Sequence, residues 1–334
     1  MRIAVDAMGG DYAPAEIIKG AVEAASRCGI PVTLVGDTES VNRELAKYAT
    51  TGLPIEVAHA SEVVQMDEHP ANAIRRKSDS SIVVAADLVS NGEAQAMVSA
   101  GNTGAAMAVA TLRLGRIKGI DRPAIGAILP TMNGRAVMLD AGANVDCSVE
   151  NLLQFAVMGS EYAERMFKIS KPRVGLLSIG EEAIKGNELT RAANTRLSRT
   201  SLNFVGNVEG KDVFRGAVDV VVCDGFAGNI VLKAGEGMAE FVLANLKREI
   251  NRGFLYRLGA LFLRPAFQRV KTKLDYAEYG GALLLGVNGV CVICHGRSDA
   301  RAIRNAIRAA ADAVANDVVG RIGTSLRRSD LTSS

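Results

Sequence analysis

Five turns in this 334-residue chain gather the residue types that can hold an anion: Asp6-Ala-Met-Gly-Gly-Asp11, Ser99-Ala-Gly-Asn-Thr-Gly104, Asp140-Ala-Gly-Ala-Asn144, Ser178-Ile-Gly-Glu-Glu-Ala-Ile-Lys-Gly-Asn187 and Asp224-Gly-Phe-Ala-Gly-Asn229. Glycine lets backbone approach a ligand closely, and amides at the start of a helix offer unpaired N–H groups and a favourable dipole to negative charge. One such turn means little, because tight strand-to-helix turns need glycine for steric reasons alone. Five together point to a small phosphate-bearing ligand. Ser99, Asn102 and Thr103, with the amides of Gly101 and Gly104, are the candidate phosphate cradle. The competing role for Ser99 and Thr103 is to cap the helix that follows. Asn144, Gly186, Asn187 and Gly228 are further candidates for contact with phosphate or substrate. Asp140, Asp146 and Asp224 would repel a phosphate that they faced, so capping or orienting roles are expected of them.

Other chemistries find less support. None of the turns fits G-x-G-x-x-G or G-x-x-x-x-G-K-[ST], so the dinucleotide fingerprint and the nucleotide P-loop are both missing. With three histidines, His59, His69 and His295, and no G-x-S-x-G elbow, nothing singles out a catalytic triad. Cys223, at a strand end, is the one tempting nucleophile for an acyl-enzyme, but buried cysteine is the commoner meaning of such a position. Cys291-Val-Ile-Cys294-His295 matches the c-type haem pattern and offers three metal-ligand side chains. It lies in an apolar, strand-like run, Gly289 to His295, where alternation sends neighbouring side chains to opposite faces, so neither metal nor haem is expected.

These turns need elements to hold them. Apolar runs at Arg2–Val5, Val32–Val35, Ile55–Ala58, Ala96–Ser99, Ala136–Leu139, Val174–Ser178 and Val218–Cys223 read as buried strands. Between several of them lie helical patterns. From Pro14 onward, Ile17, Ile18, Ala21, Val22 and Ala25 share one face, and a final helix is expected after Ser298 as N-cap, with Ile303, Ile307, Ala310, Val314 and Val318 at helical spacing. The alternation predicts a three-layer α/β fold with a mostly parallel sheet covered on both faces. Ligands in such sheets gather outside the carboxyl ends of the strands, where the glycine-rich turns stand. No repeat or Pro-rich linker divides the chain, so one catalytic domain over 1–334 is expected, with a helical excursion at about 245–275.

A hydrophobic content of 48% supports a substantial core, and 39 basic against 36 acidic residues, a net charge of +3, argues against a nucleic-acid partner. The start, MRIAVDAMGG, has a short apolar run broken by Asp6 and reads as neither secretory signal nor membrane span. Five scattered cysteines form no disulfide framework, which fits a reducing cytoplasm.

The stretches VDAMGGDYAP (5–14), SAGNTGA (99–105), LGRIKGIDRPAI (114–125), LDAGANVD (139–146), Ser178 to Thr190, CDGFAGNIVLK (223–233) and GVNGVCVICHGRSDARAI (286–303) resemble the successive signatures of the phosphate acyltransferase family, PlsX. They span nearly the whole chain in order. The resemblance implies the fold shared by phosphotransacetylases and the isocitrate and isopropylmalate dehydrogenases, and a homodimer. It also implies transfer of a fatty acyl group from acyl carrier protein to inorganic phosphate, without metal or organic cofactor. The acyl phosphate would pass to a membrane-bound glycerol-3-phosphate acyltransferase for phospholipid synthesis. Lys185 and Asn229 match the family's proposed active-site lysine and asparagine. A dehydrogenase on the same fold and a noncatalytic membrane-associated scaffold are the alternatives.

One segment points to a membrane. In Gly253 to Phe267, Phe254, Leu255, Leu258, Leu261 and Phe262 form one stripe at helical spacing, and Pro265 is expected to limit the helix. Eight basic residues and one acidic residue lie between Lys247 and Lys273. An apolar stripe flanked by cations suits peripheral binding to the anionic inner face of the cell membrane. The competing reading packs the stripe on the core or in a dimer interface.

Overall fold

Apolar runs alternating with helical periods can bury both faces of a strand only between two helical layers. The computed structural model, which describes residues 1–274 and 278–328, has that three-layer form. The chain starts with β1 (Ile3–Asp6), α1 (Ala15–Cys28), β2 (Val32–Gly36), α2 (Thr38–Leu45) and β3 (Ile55–His59). Then come α3 (Pro70–Arg76), α4 (Ser81–Ser90), β4 (Ala96–Ser99), α5 (Thr103–Arg113), β5 (Ala124–Thr131) and β6 (Gly134–Leu139). The middle holds α6 (Val149–Phe167), β7 (Val174–Leu177), α7 (Glu188–Leu197), β8 (Phe204–Val208), α8 (Gly210–Arg215) and β9 (Val220–Val222). Two long helices follow, α9 (Gly225–Asn251) and α10 (Phe254–Leu274), and the chain closes with β10 (Ala282–Leu285), β11 (Val290–Ile293), α11 (Ala300–Ala315) and α12 (Val318–Arg328).

The eleven strands among the described residues form one sheet in the order β3-β2-β1-β4-β11-β10-β5-β6-β9-β7-β8. Pairing is parallel from β3 to β11 and again from β6 to β8, but β10 is antiparallel to both β11 and β5, and β5 is antiparallel to β6. The second parallel block therefore runs opposite to the first. Neighbouring strands rotate by roughly 20–25°, so the six steps from β1 to β9 add up to roughly 120–150° and turn the reversed carboxyl ends back towards those of the first block.

Side chains alternate between the two core layers. Ile3 and Val5 of β1 and Val220 and Val222 of β9 face the layer holding α1, α6, α11 and α12, whereas Ala4, Met97 and Val221 face α4 and α5. The face predicted for α1 is buried throughout. Three features differ from the sequence expectation. The expected strands all occur, within two residues at their ends, but β5, β8 and β10 carry no comparably isolated apolar signal. Asp299, not Ser298, caps α11, its carboxylate accepting from the Ala302 amide at 2.9 Å. The helix expected to run through Val318 breaks at Asp317, which has φ +51°, and Val318 opens α12.

The excursion expected at 245–275 begins as helix much earlier, at Gly225, and α9 and α10 form a hairpin. Only Gly225 and Gly228 of α9 are buried, and no residue of α10 is. Pro265 does not limit α10, which continues to Leu274. Proline removes one intrahelical donor, but on a helix bathed in solvent water satisfies the orphaned carbonyl.

Gly20 marks where α1 meets α11: a Cβ there would lie 2.6 Å from the Ala300 carbonyl oxygen and 2.6 Å from Ile303 Cβ. Backbone and a Cβ cannot rotate away. Gly20→Val is expected to destabilise the protein by about 1–3 kcal/mol, read as a lower urea midpoint.

Candidate functional site

Each parallel block ends in a buried aspartate that shapes the turn beyond it. In the first block Asp6 closes β1 and accepts from the amides of Met8 at 3.2 Å and Gly9 at 3.1 Å and from the Ser99 hydroxyl at 2.7 Å. Burial raises its pKa, and the hydroxyls of Ser81 and Ser99 with the two amides partly offset that. Ser99 Oγ in turn accepts from the Gly101 amide at 3.1 Å. Asn102 caps α5, accepting from the Ala105 amide at 3.0 Å, while its NH₂ group donates to the carbonyls of Gln65, Met66 and Glu68. Of the proposed cradle, then, Ser99, Gly101 and Asn102 have these polar groups engaged inside the protein. The helix is capped by Asn102 and not by Ser99 or Thr103. Thr103 is exposed and Gly104 packs against Pro70.

In the second block Asp140 follows β6 and is fully buried. Its carboxylate accepts from the amides of Ile125, Gly142, Ala143 and Asn144, and from Asn144 Nδ2 at 2.9 Å. Burial raises its pKa against these donors. Asn144 also donates to the Pro123 carbonyl at 2.8 Å, and its own carbonyl accepts from the Gly225 amide at 2.7 Å, so the first turn of α9 is pinned to this loop. Gly228 is buried because a Cβ there would collide with the Asp140 carbonyl oxygen. Asp224 caps α9, accepting from the Ala227 amide at 2.8 Å. Both aspartates thus do the orienting and capping expected of them, whereas the Asp146 side chain is exposed.

Asn229 is the fifth residue of α9, and its exposed side chain lies against Gly142. Lys185 is exposed on the β7–α7 loop. Gly186 has φ +101°, a conformation that disfavours side chains. Asn187 caps α7, accepting from the Thr190 amide at 2.8 Å. Asn187, Asp146, Cys147, Asp224 and Phe226 line one cavity of about 430 Å³, which brings the Lys185 loop and the start of α9 to the same opening. Beside Gly186, the Ser178 hydroxyl oxygen is buried with no hydrogen-bond partner among the described residues.

The two blocks meet just beyond the carboxyl end of β11. Lys233 Nζ of α9 lies 3.4 Å from Nε2 of His295, the second residue beyond β11, and 2.9 Å from Glu236. The Gly296 carbonyl accepts from the Asp11 amide at 2.9 Å, so this contact joins the first-block turns as well. In the sequence Lys233 stood only as the last residue of the stretch CDGFAGNIVLK. Cys291 of β11 and Cys294 just beyond it belong to opposite core layers, as alternation requires, and burial pushes each thiol up to about 12. Cys223 is buried too, and its thiol is raised well above the ordinary range by burial and by the charges of Asp224 and Asp140. A thiol held protonated is a poor nucleophile.

A sequence model of the family described as "Fatty acid synthesis protein" matches residues 1–321. The "Phosphate acyltransferase" of Pelotomaculum thermopropionicum is 56% identical over 326 residues, 98% of this chain and 95% of that protein. That of Geobacter sulfurreducens is 56% identical over 322 residues, 96% and 93%. The chain belongs to the phosphate acyltransferase family. Among solved structures, a phosphotransacetylase from Streptococcus pyogenes matches with TM-score 0.60 at 19% identity, covering 94% of each chain. The EutD phosphotransacetylase from Staphylococcus aureus does so with TM-score 0.60 at 14% identity, again over 94% of each chain. These likenesses establish the fold. Family membership decides for an enzyme that transfers acyl groups to phosphate, against both the dehydrogenase and the scaffold.

For a phosphate acyltransferase the second-block loop is a device for placing α9. Gly228→Ala is expected to push α9 off the Asp140 loop and lower turnover about a hundredfold, since misplacement by about 1 Å can cost that much. Steady-state kinetics beside a circular dichroism melt would show lost rate with most secondary structure kept.

Proposed function

We propose that the acyl donor is a fatty thioester of acyl carrier protein and that inorganic phosphate attacks it directly. A phosphate oxygen forms a bond to the thioester carbonyl carbon, the C–S bond breaks, and sulfur leaves with the electron pair. Free thiols have pKa of about 8.5, so departure needs little acid assistance. The acyl carbon becomes the anhydride carbon of acyl phosphate. Phosphate at neutral pH is already an anion and needs positioning more than a base. The carbonyl oxygen, which gathers charge, needs donors. Lys185 supplies a compact positive charge and Asn229 an amide donor that adds none. Ser99, Gly101, Asn102, Thr103, Gly104, Asn144, Gly186, Asn187 and Gly228 shape the surrounding turns. The roles of Lys185 and Asn229 could be exchanged between phosphate and oxyanion.

One observation carries the reading: the helix that starts beside Asp140 and bears Asn229 runs on into a hairpin whose apolar side chains stand in solvent. Phe254 and Leu255 are each 76% exposed and Phe262 79%, with Leu258 and Leu261 also exposed. A patch of this kind usually meets another surface. With the basic cluster around it, the hairpin suits an anionic membrane, where a long-chain acyl phosphate could pass to a membrane-bound glycerol-3-phosphate acyltransferase and enter phosphatidic acid. No helix among the described residues is long and apolar enough to cross a membrane. Exposed Met238, Phe241 and Val242 of α9 favour pairing of two copies. We place the enzyme in the cytoplasm, peripheral to the membrane's inner face.

Incubated with acyl carrier thioester and phosphate, the purified protein is expected to yield acyl phosphate, trapped as hydroxamate by hydroxylamine. Lys185→Ala and Asn229→Ala should each lower the yield rate about a hundredfold or more with melting temperatures near that of the parent. Full activity in either variant would remove that residue from the site.

Vesicle flotation separates the uses of the hairpin. The parent protein should bind anionic liposomes and release as salt rises, while Leu258→Glu with Leu261→Glu should stay folded and dimeric but unbound. A variant that falls to monomers would assign the stripe to the dimer instead.

A further inference from the structure

A second feature of α9 bears on how phosphate is held. Residues four apart on a helix stand one above the other about 5–6 Å apart, so Asn229 and Lys233 share a face. Asn229 lies against the Asp140 loop of the second block, and Lys233 reaches His295 at the carboxyl end of the first. This face of α9 therefore lines the cleft where the two sets of strand ends converge.

We propose that Lys233 and His295 form a two-sided clamp for the phosphate that reacts beside Asn229, one jaw from each half of the sheet. The proposal rests on the reading that Asn229 belongs to the reacting site. An ammonium can donate to Nε2 only if that nitrogen carries no proton, and the separation of 3.4 Å is compatible with such a neutral ring. A cation and a neutral base sharing one proton make a weak pair. A dianion entering between them gives both groups an acceptor and draws a second proton onto the ring.

The surroundings favour that exchange. Lys233 is half exposed on a flexible stem and keeps its Glu236 partner at 2.9 Å, so its ammonium can swing the small distance needed to admit an oxyanion. The charged groups facing His295 are Lys233 and Glu236 of α9, Arg297 of the next turn and Asp11 of the loop after β1. Burial first, then Lys233 and Arg297, hold the ring below its ordinary pKa, so it is neutral in the empty site. An anion reverses the sign of this effect and raises the pKa. Binding of a dianion is then coupled to proton uptake, and strengthens as pH falls between the raised and the depressed values. Phosphate itself titrates near neutrality, whereas sulfate does not, which makes sulfate the cleaner probe.

The test uses the full-length protein, with sulfate binding followed by calorimetry from about pH 8 to about pH 6 and phosphate kinetics on the same samples. The parent should bind sulfate several-fold more tightly at the lower pH. His295→Gln, which keeps a donor but cannot titrate, should bind with no such pH dependence. Lys233→Met should raise the KM for phosphate about tenfold or more with a smaller change in kcat. An unchanged phosphate KM in Lys233→Met, or a pH dependence that survives in His295→Gln, would overturn the clamp. If Lys233→Met fails to fold, the His295→Gln pH profile alone decides. Loss of activity in Asn229→Ala together with an unmoved KM in Lys233→Met rejects the clamp and keeps the site. Full activity in Asn229→Ala rejects the site itself.

Discussion

A carboxylate taken out of water persists as a charge only where donors surround it, and Asp6 and Asp140 impose that condition at the carboxyl end of each parallel block. Asp6 gathers two amides and the Ser99 hydroxyl, and Asp140 gathers four amides and the Asn144 side chain. Apart from Ile125 of β5 and Ser99 at the end of β4, these donors belong to the turns that follow β1 and β6. The glycines of these turns are explained by the same constraint, since backbone must fold tightly around a carboxylate before its amides can reach it. Much of the polar chemistry that looks like ligand binding in the sequence is in fact spent inside the protein, holding these loops at fixed distances from one another.

Three antiparallel pairings in the middle of the sheet, β11 with β10, β10 with β5 and β5 with β6, decide where the loops point. The first two cancel and leave β5 running with the first block. The β5–β6 hairpin then reverses the second block, and the accumulated twist brings its strand ends round to face the first. Lys233 beside His295 is the direct trace of that convergence. A cleft made this way takes one wall from the strand ends of each block.

The hairpin follows from a different balance. Within the body, the apolar faces of α1, α6 and α11 are consumed by the sheet, but α9 stays against it only through about three turns, as far as Gly235 beside Phe214, and α10 reaches it at Lys273, whose Nζ donates to the Met132 carbonyl at 3.2 Å. Solvent-exposed apolar surface of that extent is unfavourable in an isolated chain. That surface continues directly from the helix that carries Asn229.

The sequence by itself determined the elements whose signal is local. Periodicity placed most strands within two residues and the buried face of α1, and the alternation along β11 separated Cys291 from Cys294 without any tertiary information. The glycine-rich turns were legible for the same reason: a tight turn needs glycine wherever it occurs. Tertiary structure decided what no window of residues contains. Whether Asn102 or Ser99 caps α5 depends on Asp6, ninety-odd residues away, claiming the Ser99 hydroxyl. The start of α9 at Gly225 is tied to the Asn144 carbonyl accepting its amide, and the place of β5 in the sheet depends on β10 arriving from the far end of the chain to lie between it and β11. Lys233 meets His295 only because the fold sets them opposite each other, a contact across 62 residues that spacing alone could not reveal.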